Sequence, residues 1–196
     1  MIVLFGPAGS GKTTQGRLLA DKYGWKWLSV GQVLRDTGKF GDVLKTGELV
    51  EDDEVIRLMS YEIEKADAEG MNVILDGYPR DIEQAKWMEE NNFFKSVELA
   101  LILDVPKEEL WKRIEERGRT DDTKEAVERR FEIFEQNIYS ILPFLENGGV
   151  KILKIDGVGS FEEVTDRLMK VLEENIHGLV VQDEDMTRAG EQSYGE

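Results

Sequence analysis

The sequence predicts an α/β fold, a doubly wound parallel sheet covered by helices on both faces. Five short apolar runs predict the strands, at 2–5, 26–30, 72–76, 98–104 and 150–155. They are near-continuous rather than alternating, as strands buried on both faces should be. Segments of helical periodicity lie between them, so strand and helix alternate along the chain. A glycine-rich stretch directly after the first run predicts what the sheet carries.

The first strand, Ile2-Val3-Leu4-Phe5, runs into "GPAGSGKTT" at Gly6–Thr14, and a helix follows over 12–22. The second strand ends in "SVGQVLR", 29–35, where a new helix projects Arg35. Over 52–69, Val55, Ile56, Met59, Ile63 and Ala66 fall on one helical face. The third strand closes on Asp76 and continues as "DGYPR", 76–80. Beyond the fourth, Val127, Phe131, Phe134, Ile138, Leu142 and Leu145 mark a helix over 123–147. After the fifth, Ser160 and Glu163 form a capping box ahead of Phe161, Val164, Leu168 and Leu172. From Gly178 the sequence is polar, acidic and aperiodic, which predicts a flexible tail over 178–196.

At 196 residues, 40% hydrophobic and 34% charged, the composition suits one domain over 1–177. There is no cysteine, so disulfides and thiolate metal sites are excluded. No apolar stretch approaches the ~20 residues of a membrane helix, and the opening run is too short for a signal peptide. The expectation is a cytoplasmic monomer. A net charge of −16 argues against nucleic acid or an anionic membrane as partner. It also means that any phosphate site must gather its arginines locally, against the overall field.

Gly6-x-x-x-x-Gly11-Lys12-Thr13 satisfies the P-loop pattern in its required setting of strand, loop and helix. Glycines let successive backbone N–H groups converge on one anion, and the helix start adds partial positive charge. The nucleoside triphosphate set is therefore Gly6, Ala8, Gly9, Ser10, Gly11, Lys12, Thr13 and Thr14. Lys12 reaches the outer phosphates and the Thr13 hydroxyl faces the magnesium shell. This specifies a P-loop NTPase fold without naming a reaction. No Asn-Lys-x-Asp base-reading motif is present, which speaks against a GTPase.

The chain offers a second, dispersed set of anion-binding residues instead. Arg35 follows the second strand; Asp76 and Arg80 follow the third, where a parallel sheet places its ligand chemistry. "RIEERGRTDD", 113–122, adds Arg113, Arg117 and Arg119, with Arg129 and Arg130 one helical stretch later. Together with a P-loop they point to two anionic substrates and a phosphoryl group passed between them.

The P-loop, "SVGQVLR", "GELVEDDEV" at 47–55, "DGYPR", the arginine-rich "RTDD" region and "KIDG" at 154–157 occur in order. With them the chain resembles the nucleoside monophosphate kinases, most closely the adenylate kinases, over almost all of 1–176. The resemblance implies small nucleotide-binding insertions, one for the monophosphate at about 30–60 and a lid at about 114–125. It implies that Lys12 and the loop amides hold the donor phosphates, with Arg113 flat against the donor base and Gly157 beside it. Arg35 and Arg80 would hold the acceptor phosphate, while Arg117, Arg119 and Arg130 gather round the group in flight. Val30, Leu49, Val50 and Gly77 would line the acceptor pocket, and Gln84 would read the adenine of AMP. Asp76 would order magnesium-bound water and Asp121 orient neighbouring arginines. The implied reaction is MgATP + AMP ⇌ MgADP + ADP, with ATP and AMP as partners, Mg²⁺ arriving as MgATP, and no zinc.

Four positions depart from the family pattern. Val30 stands where threonine, serine or alanine is usual, which removes a hydroxyl beside the acceptor base. Gln32 replaces an aspartate that helps organise the metal's water. Thr13 replaces a glycine. Only Gly118 separates Arg117 from Arg119, so the lid is minimal and should exclude water less completely than a long one; in a second alignment Arg117 only ends the helix as a dipole partner. A UMP/CMP kinase and a nucleotide-binding protein without turnover remain open as alternatives. Trp111, Phe131 and Phe134 have the spacing of helix contacts rather than of a stacking site. Tyr78-Pro79 is a candidate cis bond, and His177 reads as a surface residue.

Overall fold

The structure, a computed structural model, describes residues 1–176; His177 and the predicted tail lie outside the described residues. The chain runs β1 (Ile2–Phe5), α1 (Lys12–Tyr23), β2 (Lys26–Ser29), α2 (Val30–Asp36), α3 (Gly41–Thr46), α4 (Asp52–Ala68) and β3 (Val73–Asp76). It continues through α5 (Ile82–Glu90), a 3₁₀ turn (Phe93–Ser96), β4 (Leu99–Asp104), α6 (Lys107–Arg117), α7 (Lys124–Asn147), β5 (Lys151–Asp156) and α8 (Phe161–Asn175). All five expected strands form, each boundary within one residue of the sequence reading. The largest consequence is at Val30, which opens α2 instead of ending β2.

The strands make one parallel sheet in the order β2-β3-β1-β4-β5. Alternation within β1 explains its unbroken apolarity. Val3 and Phe5 pack with Leu28, Leu75 and Ala100 against helices on one face, and Ile2 and Leu4 pack with Ile74, Leu99 and Leu101 against α1 and α8 on the other. Both faces are core, so neither can be polar. A third cluster, Val105, Leu110, Ile114, Val127 and Phe131, fixes α6 to α7.

Register delivers the strand ends together. Leu4 and Ser29 both pair with Asp76, so the C-terminal ends of β1, β2 and β3 meet at one level. In a sheet of this kind the crevice beyond those ends is where ligands bind. The Ser160–Glu163 capping box is present, with Ser160 Oγ accepting from the Glu163 N–H at 3.2 Å. The Tyr78–Pro79 bond is cis.

Candidate active site

The glycine loop sits between β1 and α1, over the crevice. Gly9 has φ +81°, and a Cβ there would lie 2.8 Å from the Leu110 carbonyl oxygen, so loop and α6 touch only because this residue has no side chain. Gly11 is the N-cap of α1 and no side chain caps the helix, which leaves its first-turn amides for an external anion. Lys12 donates to the Pro7 carbonyl at 3.1 Å. Its pKa is lowered to about 8, first because the cleft strips water from the ammonium. Asp76 opposes that shift, and Arg80, Arg117 and Arg119 add to it. A cation surrounded by cations is a site arranged for an anion.

Thr13 Oγ1 donates to Asp76 Oδ2 at 2.7 Å, and Asp76 is almost fully buried at the end of β3. A hydroxyl and a carboxylate are hard oxygen donors that suit a divalent ion arriving on phosphates. Among the described residues no group of three or more His, Cys, Asp or Glu side chains could hold a metal by itself. The hydroxyl and carboxylate at this point would leave most of an ion's coordination to nucleotide oxygens and water.

Across the crevice, Arg35 and Arg80 converge over Gly31. A Cβ at Gly31 would stand 3.3 Å from Arg80 Nη2 and 3.5 Å from Arg35 Nη1. Arg80 Nε donates to Gly77 O at 3.3 Å, and its pKa falls to about 10 through burial first, then through Arg130 and Arg35, with Asp76 pulling the other way. Leu44, Gly47, Glu48 and Leu49 form one wall, and Ile133, Phe134, Ile138 and Ile141 of α7 face them, making an apolar slot beside the two guanidiniums.

The third side is the junction of α6 and α7. Gly118, at φ +57°, caps α6, and residues 118–123 turn directly into α7. Asp122 accepts from Arg117 Nε and Nη2 at 2.7 and 2.9 Å and from Arg130 Nη1 at 2.7 Å. Burial works against ionisation of Asp122, but the hydrogen bonds and charges of the two arginines outweigh it and hold the carboxyl below its usual range. Arg130 Nη2 also reaches Asp121 Oδ2 at 2.9 Å and the Leu44 carbonyl at 2.7 Å. Arg119 lines the same space, its pKa lowered by loss of water and then by Arg117 and Arg35. Arg113 is held by Glu109 at 2.8 Å and by the Gly157 carbonyl at 3.0 Å.

All three sides enclose one cleft of about 370 Å³. Of the residues singled out from sequence, Gly6, Ala8, Gly9, Gly11, Lys12, Thr13, Thr14, Arg35, Leu49, Asp76, Gly77, Arg80, Arg113, Arg117, Arg119, Asp121 and Arg130 line it. Seven cationic side chains stand there against Glu48, Asp76 and Asp121, so the cleft is positive inside a protein of net charge −16.

The other candidate site residues singled out do not line it. Val30 and Val50 are buried in the core behind the wall, because the residues on either side of each take the cleft face or the solvent. Ser10 is buried, with its hydroxyl unpartnered. Gly157 touches the site only through its carbonyl, on Arg113. Gln84 is fully buried and bonded to Arg80, Asp52 and Asp81. Gln32 bonds Asp36 at 2.6 Å and faces a separate groove beside Trp27.

Sequence reasoning missed Gly31, the apolar α7 wall and the part played by Asp122. The second aspartate of "RTDD" was the available signal for the last. Phe131 does pack in the core, edge-on to Trp111 at 5.6 Å, but Phe134 also faces the cleft.

Comparison with known proteins agrees with this geometry. The family model described as adenylate kinase matches residues 4–150. An adenylate kinase of Maricaulis maris is 35% identical over 88% of this chain and 98% of its own. One from Xanthomonas euvesicatoria pv. vesicatoria is 36% identical over 87% and 98%, and one from Thermus thermophilus 33% identical over 87% and 96%. With the likeness spanning nearly the whole of these relatives, and the cleft built from a P-loop and converging arginines, the chain belongs to the adenylate kinase family.

Proposed function

We infer that the protein transfers the terminal phosphoryl group of MgATP reversibly to AMP, giving two ADP. One observation carries this reading: Lys12 and arginines from four separate segments, Arg35, Arg80, Arg117 with Arg119, and Arg130, converge on one cleft between the P-loop and an apolar slot. An NTPase that spends water needs only the first half of that cleft.

The α1 amides and Lys12 hold the donor's phosphates, and Arg113 packs on its base, held by Glu109 and Gly157. Arg35 and Arg80 seat the acceptor phosphate, whose base enters the slot between Leu49 and Phe134. An acceptor phosphate oxygen then attacks the terminal phosphorus as the bond to the bridging oxygen of the donor breaks. Arg117, Arg119 and Arg130 neutralise the charge spread over the transferring oxygens. No general base is required, because the attacking oxygen is already ionised. Magnesium arriving with ATP would supply charge neutralisation, and Thr13 and Asp76 are the residues that would hold it there. We assign residues 30–60 to the acceptor segment and 114–125 to a minimal lid, in a single monomeric, cytoplasmic domain.

The test is to incubate the protein and MgATP with AMP, GMP, CMP, UMP or no acceptor, and to follow products by ³¹P NMR. ADP formed chiefly with AMP supports the reading. Turnover chiefly with a pyrimidine monophosphate changes the acceptor, and turnover no faster with any acceptor than without removes the kinase. The tube without acceptor also reads the hydrolysis expected of a short lid.

A further inference from the structure

Both N–H groups of Gln84 are engaged, although its side chain is wholly buried. Oε1 accepts from the Arg80 backbone N–H at 2.9 Å, while Nε2 donates to Asp52 Oδ1 at 2.8 Å and Asp81 Oδ2 at 2.9 Å. A backbone N–H only donates, so Oε1 must face Arg80 and Nε2 the two aspartates. Asp81 is the N-cap of the same helix, α5, and Arg80 is its chain neighbour. Asp52 alone comes from elsewhere, as the first residue of α4, directly after the stretch that carries Glu48 and Leu49 on the cleft wall. The Arg80 peptide is also held from its other side, where Asn137 of α7 donates to the Arg80 carbonyl at 3.0 Å.

We propose that Asp52 is a positioning residue for the acceptor, acting through Gln84 to hold the backbone of Arg80 in register with the acceptor segment. The inference deepens the kinase reading and rests on it for the role of Arg80. Removing the Asp52 carboxylate leaves a buried N–H of Gln84 without its partner. The carboxamide is then held only by Asp81 and the Arg80 N–H, both within its own segment, and the tie between the Arg80 backbone and the acceptor segment is cut. Simple electrostatics predicts the opposite outcome, since deleting a negative charge near an anion site should tighten anion binding. The sign of the change therefore separates positioning from charge.

The experiment compares wild type with Asp52→Ala, Asp52→Asn and Asp53→Ala. It reads KM for AMP and for MgATP, AMP affinity by calorimetry without turnover, and melting temperature. Asp53 is exposed in the same first turn of α4, so its variant controls for charge lost at that helix start. In Asp52→Ala, KM and Kd for AMP should rise about tenfold, the scale of a small misplacement at a phosphate. KM for MgATP should stay within about twofold, and Asp52→Asn, which keeps an acceptor oxygen, should stay near wild type. Unchanged or tighter AMP binding in Asp52→Ala, an equal rise in both KM values, or the same rise in Asp53→Ala overturns the proposal. If wild type binds AMP but forms no ADP, the kinase reading fails by itself and calorimetry still decides on Asp52. A wild-type protein that binds no AMP overturns both.

Discussion

The two halves of the cleft are built by opposite means. In the proposed reaction the donor phosphates fall to nine consecutive residues, Gly6–Thr14, whose groups are largely backbone amides fixed by the turn itself. The acceptor half is a set of side chains carried by α2, the β3–α5 link, the 44–49 stretch and α7, held in place by Gln84, Asp122 and Asn137. A contiguous loop owes its geometry to local conformation, and one residue can ruin it. A dispersed set owes its geometry to tertiary hydrogen bonds, so damage to it should be graded.

The largest effect should come from the donor half. Lys12→Ala should lower kcat/KM about 10³-fold with either substrate varied, by analogy with other preorganised charges on a phosphoryl group. A loss below tenfold would remove the contrast between the halves. Asp122→Ala should come next. It releases Arg117 and Arg130 together, and kcat should fall about 10²-fold, within the range for one such stabilising group. Asp121→Ala touches only Arg130 among these side chains and should cost less. Equal losses in the two variants would contradict the hub at Asp122.

The pH profile sharpens the comparison. With Lys12 at about 8, kcat/KM for MgATP should fall up to about tenfold per pH unit above that value as the free enzyme loses this charge. Stability moves the other way. Between about 8 and the ordinary 10.5, the unfolded chain carries a proton on Lys12 that the folded one lacks, so this group's contribution to stability rises with pH. Loss of activity there, with stability level or rising, marks a site effect.

The smallest effect probes the acceptor half. Gly31→Ala should favour the α2 helix by about 0.5–1 kcal/mol, yet its Cβ at 3.3 Å from Arg80 Nη2 must displace the guanidinium. KM for AMP should rise about fivefold, well short of a full lost contact, with KM for MgATP unchanged. A variant as stable as or more stable than wild type that binds AMP equally well would show that Gly31 is not the platform for these arginines.

The same division explains what could be read from the chain. The five strands and the P-loop depend on near neighbours, and runs such as Ile2–Phe5 and the glycine spacing announce them. Helix α5 did not announce itself. Its nine residues bury Gln84, Ala85 and Met88, a face with one polar member and too short for a clear period. The resemblance gave Gln84 the adenine of AMP; in the structure Asp52, thirty-two residues away in sequence, accepts from its amide. Val30 and Val50 stand beside cleft residues and turn to the core, a choice made by packing on the sheet. The resemblance gave the orienting of the arginines to Asp121, and no local signal set Asp122 apart from it. Only the path of the chain from Gly118 to Thr123 buries the second between two arginines.

The most direct measurement is calorimetry with a bisubstrate ligand, two adenosines joined by five phosphates, set beside ATP and AMP alone. If donor and acceptor halves face one another across a single cleft, the joined ligand should bind at least about a hundredfold more tightly than either nucleotide. Lys12→Ala and Arg80→Ala should each weaken it. A joined ligand that binds no better than ATP, and is indifferent to Arg80→Ala, would mean that the two halves do not form one site.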